Sequence, residues 1–269
     1  MNENYDELLD FAVQQARAAG EVMRTYFFDP SSQNVSRKAD KTVVTIADKQ
    51  INDNLIRAVR QSFPQHGVLG EEASYGADAS RLWVCDPIDG TEAFITGVPT
   101  AMYSLAFVVD GVPRLGVCYE PVQDMLLHAV QGAGAYLNGE RVHVSDTSEL
   151  AGATIGIVSS IQCFLDRLPA YQQLLDQSAG IKIIPGNVFK AALLAQGRLD
   201  GYIFPGKSAH DIAANDIIIR EAGGVVTDLA GNDQPYDRRI RGAIMSNGKI
   251  HDQLVRAVVD FGVDAFEGW

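Results

Sequence analysis

Cysteine is scarce in this chain, with three in 269 residues: Cys85, Cys118 and Cys163. They form no C-x-x-C pair, and Cys85 and Cys118 lie inside apolar runs. That reads as buried thiols in a reducing compartment, not as a disulfide frame or a structural zinc site. Basic charge is also short. The 22 Lys and Arg against 34 Asp and Glu leave a net charge of −12. A surface of that sign repels nucleic-acid phosphates and anionic lipid, so neither is expected as a bulk electrostatic partner. No apolar run reaches the roughly 18 residues of a membrane span. The opening Met1-Asn2-Glu3-Asn4 lacks the basic-then-apolar pattern of a secretion signal. A cytoplasmic protein with no membrane contact is expected.

What is present is a large core: 46% of the residues are hydrophobic. The length fits one large α/β unit or two fused parts of roughly 130 residues each. If the ligand is anionic, something local must overcome the acidic field, and a bound metal ion would do so.

Leu8, Ala12, Ala16, Ala19, Met23 and Tyr26 recur at helical steps and predict a long amphipathic helix, closed by Asp29-Pro30-Ser31-Ser32. A second helix follows Asp48, with Ile51, Leu55, Val59 and Phe63 on its stripe and Pro64 as its stop. From 101 to 144 the period changes. Residues 101–109, 115–119, 125–130 and 142–144, separated by Asp110-Gly111, Gly132-Ala133-Gly134 and Asn138-Gly139, predict an antiparallel meander. Beyond Thr154 strands are expected at 154–158, 181–184, 200–204, 225–228 and 243–246. Helices are expected at 164–178, 187–196, 211–222 and 250–260. That alternation argues for a more parallel sheet covered by helices. A soft boundary near 145 divides an N-terminal α+β part, 1–145, from a C-terminal α/β part, 146–269.

Three acidic segments stand out: Gly70-Glu71-Glu72; Trp83-Val84-Cys85-Asp86-Pro87-Ile88-Asp89-Gly90-Thr91; and Asp211, upstream of Glu221-Ala222-Gly223-Gly224. The run 82–85 has a buried-strand pattern, and Pro87 prevents a plain continuation. Asp86 and Asp89 would then project from a strand-to-helix turn into the same space. Two close carboxylates repel unless a hard divalent cation such as Mg²⁺ sits between them. Taken singly, each segment has a plainer explanation. Asp-Pro and Asp-Gly are ordinary turn dipeptides, Glu71-Glu72 fits a solvated loop, and Asp211 fits a helix N-cap.

In combination the segments resemble the inositol monophosphatase family of metal-dependent phosphatases. The match carries GEE at 70–72, WVCDPIDGT at 83–91 and HDIAANDIIIREAGG at 210–224, together with Val44-Thr45-Ile46-Ala47-Asp48 and Gly197-Arg198-Leu199-Asp200-Gly201-Tyr202. The resemblance implies a layered α-β-α-β-α sandwich, shared with fructose bisphosphatase, and a phosphoric monoester hydrolase. It also implies that Glu71, Asp86 and the Ile88 carbonyl hold one Mg²⁺, and that Asp86, Asp89 and Asp211 hold a second. A third, weaker ion near Glu71 is left open, and Mn²⁺ would suit the same ligands. Thr91 and Asp48 resemble the family's pair that orients the attacking water, and Glu72 would support the ligands. The amides of Gly90 and Thr91, at a presumed helix start, would receive phosphate. In-line attack by metal-activated water, without a phosphoenzyme, is the expected chemistry, and a homodimer the expected assembly.

The match departs at Glu92, where a neutral polar residue is common, and the following Phe94-Ile95-Thr96-Gly97 looks closer to histidinol phosphatases. His210 replaces an aromatic and is read as a packing residue. Lys207, in a loop without the usual acid, is a candidate contact for a second anionic group on the substrate. Inositol monophosphate leads as substrate; histidinol phosphate, fructose bisphosphate and phosphoadenosine phosphate are alternatives. A non-catalytic, metal-binding regulatory module is the other class. Gly223-Gly224 completes no nucleotide-binding loop. Ser159, Ser160 and the five histidines show no Ser/His triad spacing.

Overall fold

The computed structural model describes residues 3–29, 31, 33–38, 43–158, 161–177 and 179–263. Pro30, Ser32, Ser159, Ser160 and the side chain of Cys163 lie outside that set.

Helix α1 (Tyr5–Phe27) buries Leu8, Ala12, Ala16, Ala19 and Met23 as the stripe predicts, adds Phe11, and leaves Tyr26 half-buried. The short strands β1 (Ser36–Arg37) and β2 (Val43–Val44) lead into α2 (Ile46–Ser62). Thr45 and Asp48 form a reciprocal capping box at the start of α2. Seven strands then make one sheet: β3 (Gly67–Gly70), β4 (Arg81–Asp89), β5 (Met102–Val109), β6 (Val112–Glu120), β7 (Met125–Val130), β8 (Gly134–Leu137) and β9 (Glu140–Arg141), in that spatial order. Only β3–β4 is parallel; the others pair antiparallel, and from β5 to β9 they do so through short turns. The five-residue helix α3 (Thr91–Ile95) interrupts the run between β4 and β5.

The second sheet has the order β11–β10–β12–β14–β13. Its elements along the chain are β10 (Thr154–Ile157), α4 (Ile161–Asp166), α5 (Leu168–Asp176), β11 (Gly180–Ile183), α6 (Asn187–Ala195), β12 (Gly201–Phe204), a 3₁₀ turn (Ala209–Asp211), α7 (Ala213–Glu221), β13 (Val225–Thr227), β14 (Ala243–Ser246) and α8 (His251–Phe261). This sheet is the more parallel of the two, as expected, with β10–β11 and β10–β12 parallel, but β14 runs antiparallel to both β12 and β13. The reason is that β13 and β14 are joined by a loop, and a parallel pair needs a crossover. One expectation needs correction: residues 142–144 are not a strand. The Val144 N–H donates to Ala222 O at 3.1 Å, and Val142 and Val144 pack on the central core instead.

Alternation along the strands sorts the core into layers. On β5, Tyr103, Leu105 and Phe107 face α1 and α2, while Met102, Ala106 and Val108 face α6 and α7. On β12, Tyr202 and Phe204 face α6 and α7, and Ile203 faces the opposite layer with Tyr171 of α5 and Leu254 of α8. Helices α6 and α7 thus lie between the two sheets, and the central core draws residues from both sides of position 145. The result is the five-layer α-β-α-β-α sandwich. Aromatic packing stiffens the outer layer next to α1: Trp83 lies 5.1 Å from Phe11 and 4.9 Å from Phe107, ring centre to ring centre.

Candidate metal centre

The site begins with a register fault in β4. Asp86 pairs with Ser104 of β5 and Asp89 pairs with Met102, so three steps on one strand match two on the other. In a regular strand, residues three apart point to opposite faces. The bulge removes that parity and turns Asp89 to the face of Asp86, towards α6 and α7. Glu71 follows β3 directly, and its N–H donates to Cys85 O at 3.1 Å, which extends the parallel pairing to the level of Asp86. Asp211 arrives from the opposite side on the 3₁₀ turn. Ligand atoms of Asp86, Asp89 and Asp211 all fall within 4.8 Å of one another, and so do those of Glu71, Asp86 and His210. Asp86 belongs to both groups.

The neighbouring peptide groups hold these carboxylates in place. The Ile88 N–H donates to Asp86 Oδ1 at 3.0 Å, and the Val188 N–H donates to Asp89 Oδ2 at 2.8 Å. Asn187 Nδ2 donates to Asp211 Oδ1 at 3.1 Å, and Tyr202 Oη donates to Asn187 Oδ1 at 2.9 Å. The start of α6 therefore orients two of the four acids. Beneath it lies Lys190, fully buried, with Nζ donating to Ile184 O at 2.9 Å and lying over the Tyr202 ring.

Electrostatically the cluster is unstable as a set of free anions. Burial, then the charges of Glu71, Asp89, Asp211 and Asp48, push the Asp86 carboxyl well above its usual range. Burial and Asp211 push Asp89 up to about 8, against the opposing Val188 N–H. Asp211 is raised by burial, partly offset by His210. Burial of Lys38 favours its neutral form, but its hydrogen bonds to Glu71 (2.7 Å) and Glu72 (2.5 Å) outweigh that and raise its pKa.

These residues fit a divalent cation. The donors are mostly carboxylate oxygens, and opposed oxygens on one Mg²⁺ lie about 4.2 Å apart, which the separations here, all within 4.8 Å, allow. Asp48 Oδ1 is buried without a hydrogen-bond partner. Burial first, against the hydrogen bonds from Thr45, raises the Asp48 carboxyl to about 6.

Thr91 and Asp48 take separate hydrogen-bond partners. The Thr91 hydroxyl donates to Ile88 O at 3.1 Å and not to Asp48. Asp48 instead spends Oδ2 on the Thr45 N–H and hydroxyl, because the capping box claims it. Lys207 is absent from the lining of the cleft; its carbonyl accepts from the Ile240 N–H at 3.0 Å. Lys38, Asn187 and Lys190 went unnoticed in the sequence. Only Lys190 left a signal there, as a lone charge in the apolar helix 187–195.

Gly90 caps α3 in the left-handed region, with φ 81°. A Cβ there would sit 3.2 Å from the Gly186 Cα. Gly90→Ala is expected to lose about 1–3 kcal/mol of stability through backbone strain. An unchanged urea midpoint would count against that reading of the turn.

The centre opens into a cleft of about 680 Å³, lined among others by Lys38, Gly90, Thr91, Glu92, Thr96 and Ser208. Among the described residues, no helix is long and apolar enough to cross a membrane. Comparison with known proteins agrees with the geometry. The profile of the inositol monophosphatase family matches residues 4–262. The chain is 34% identical to the fructose-1,6-bisphosphatase/inositol-1-monophosphatase of Thermotoga maritima over 93% of its own length and 95% of the relative's. It is also 34% identical to the Nus factor SuhB of Pseudomonas aeruginosa, covering 84% and 87% of the two chains. A solved Thermotoga maritima IMPase superposes with a TM-score of 0.86 at 32% identity, over 97% of this chain and all of the other. A bulged strand that turns two aspartates to one face, an acid from the neighbouring strand and a fourth from across the central helices have the same explanation as these similarities: the chain belongs to the inositol monophosphatase family.

Proposed function

We propose that this chain is a Mg²⁺-dependent phosphomonoesterase for small, hydroxyl-rich phosphate esters, with inositol monophosphate as its leading substrate. The observation that carries the reading is Asp86, a member of two adjacent ligand groups at the base of an open cleft. A pair of positions sharing one carboxylate suits two-ion phosphoryl chemistry. Glu71, Asp86 and the Ile88 carbonyl would hold one ion, and Asp86, Asp89 and Asp211 the other. When bound, such ions polarise the phosphate and lower the pKa of water.

The chain's own groups supply position. Val188 and Asn187 each hold one oxygen of Asp89 and Asp211, and among the described residues the second oxygens accept no protein hydrogen bond. The Thr91 hydroxyl has its proton engaged by Ile88, so its lone pairs face the cleft as acceptors for a water proton. The acidic rim repels a phosphate dianion, so binding depends on the cation charge. The cleft volume suits a sugar- or inositol-sized ester. Glu92 on the rim also supports a second substrate, histidinol phosphate, whose ammonium it would attract. Fructose bisphosphate and phosphoadenosine phosphate complete the panel. A regulatory role is the other reading, supported by the relatives named Nus factor SuhB.

Phosphate release from these four esters, with and without Mg²⁺, tests the proposal. Metal-dependent release from inositol monophosphate is expected. Failure of all four with folded, metal-loaded protein would reject these substrates and favour another ester or the regulatory reading.

A further inference from the structure

Chain position suggests packing for His210, but the structure brings its ring to the metal centre. The 3₁₀ turn Ala209–Asp211 delivers two consecutive side chains to one cleft, and at three residues per turn they diverge by about 120°. Asp211 reaches the corner formed by Asp86 and Asp89, and His210 the corner formed by Glu71 and Asp86. The two groups therefore differ in kind: one offers oxygen alone, the other oxygen and nitrogen. His210 is only 18% exposed at its side chain. Its Nε2 lies 3.9 Å from Asp211 Oδ2, too far for a hydrogen bond, and among the described residues the ring makes none. Its backbone is tethered, since Ser104 Oγ donates to His210 O at 3.4 Å. A ring fixed at its base, with neither nitrogen in a hydrogen bond among the described residues and with Glu71 and Asp86 beside it, is equipped to bind a cation.

We propose that His210 is a nitrogen ligand at the Glu71–Asp86 position, and that this position prefers Mn²⁺ or a later first-row divalent ion to Mg²⁺, while the Asp86–Asp89–Asp211 position remains oxygen-only. The inference rests on the metal-centre reading under Proposed function. Its chemistry is that of ligand softness: imidazole suits transition ions, whereas Mg²⁺ is bound through carboxylate, carbonyl and water.

The test uses the intact chain with Mn²⁺ as the probe. Calorimetry gives stoichiometry and affinity, and pulsed electron paramagnetic resonance reads nitrogen coupled to the bound Mn²⁺. A coupling from a directly bound nitrogen is expected in the wild type. It should change when the histidines carry ¹⁵N and vanish in His210→Phe, which keeps a ring but no donor. Mn²⁺ affinity at that position should fall about tenfold or more in the variant, with Mg²⁺ affinity moving far less. Mn²⁺ bound without nitrogen coupling, or coupling that survives in His210→Phe, overturns the role of His210 and leaves the metal centre standing. Absence of Mn²⁺ and Mg²⁺ binding to the folded wild type overturns the metal centre, and this proposal with it. The ¹⁵N comparison needs only wild-type protein, so a variant that fails to fold does not rescue the idea.

Discussion

Asp86→Asn is expected to abolish turnover and, in the same protein, to raise the stability of the metal-free fold. The loss follows from position. Asp86 stands in both ligand groups, so one change weakens two ion positions. A neutral amide forfeits several kcal/mol of electrostatic stabilisation, and about 4 kcal/mol corresponds to a thousandfold in rate. The gain follows from charge. Asp86 is 2% exposed and surrounded by Glu71, Asp89, Asp211 and Asp48, all of which disfavour its ionisation. Asparagine removes that repulsion and can still accept from the Ile88 N–H through Oδ1. Phosphate release and thermal melting in chelator measure the two effects together. At about 2–4 °C per kcal/mol for a chain of this size, the relief should be visible as a higher melting temperature. Near-wild-type turnover would reject the ligand assignment. A lower melting temperature in chelator would reject the repulsion argument.

The second large effect is a coupling between pH and metal. Asp89 is raised from 3.8 to about 8 in the fold, and Asp48 to about 6. Between those limits the folded chain keeps protons that the unfolded chain has released. Stability rises with pH only where the unfolded state binds more protons, so here it falls. The contribution is complete below about pH 4 and is lost as pH climbs through 6 for Asp48 and 8 for Asp89, at about 1.4 kcal/mol per pH unit for each retained proton. A bound cation takes the place of the proton on Asp89, so the stabilisation by Mg²⁺ must grow over the same range. The melting-temperature increment from saturating Mg²⁺ should be greater at pH 8 than at pH 6 by on the order of 5 °C. Equal increments at the two pH values would show that Mg²⁺ displaces no proton.

Much of the architecture was legible because it depends on local periodicity. The stripe of α1, the hairpin at Asp110-Gly111 and each strand of the second sheet lie within a residue or two of where apolar spacing puts them. The direction of β14 was not legible. It depends on whether 228–242 is a loop or a crossover helix, and loop composition does not say which edge of a sheet the chain returns to. Among the site residues, Glu71, Asp86, Asp89 and Asp211 could be read because each belongs to a motif. How Asp89 comes to face Asp86 could not, because the bulge exists only in the pairing with β5. Asn187 and Lys38 were hidden for a similar reason. Their partners are distant in the chain, and a lone asparagine or lysine carries no spacing signal. For Thr91 and Asp48 the motif names the residues, and the hydrogen bonds they make are set by closer partners, Ile88 and Thr45.

Helices α6 and α7, lodged between the two sheets, have a consequence for the protein's birth. Glu71 and Asp211 are separated by more than half of the chain, and α6 holds the carboxylates of Asp89 and Asp211. A ribosome makes the seven-stranded sheet long before it makes the 3₁₀ turn. Until that turn emerges, the exposed face of the first sheet carries Asp86 and Asp89 without the group that completes their site. Contacts so distant along the chain also form late in folding. A cation captured by the all-carboxylate site would thus record that synthesis and layering are both finished, and an abandoned nascent fragment has no such site.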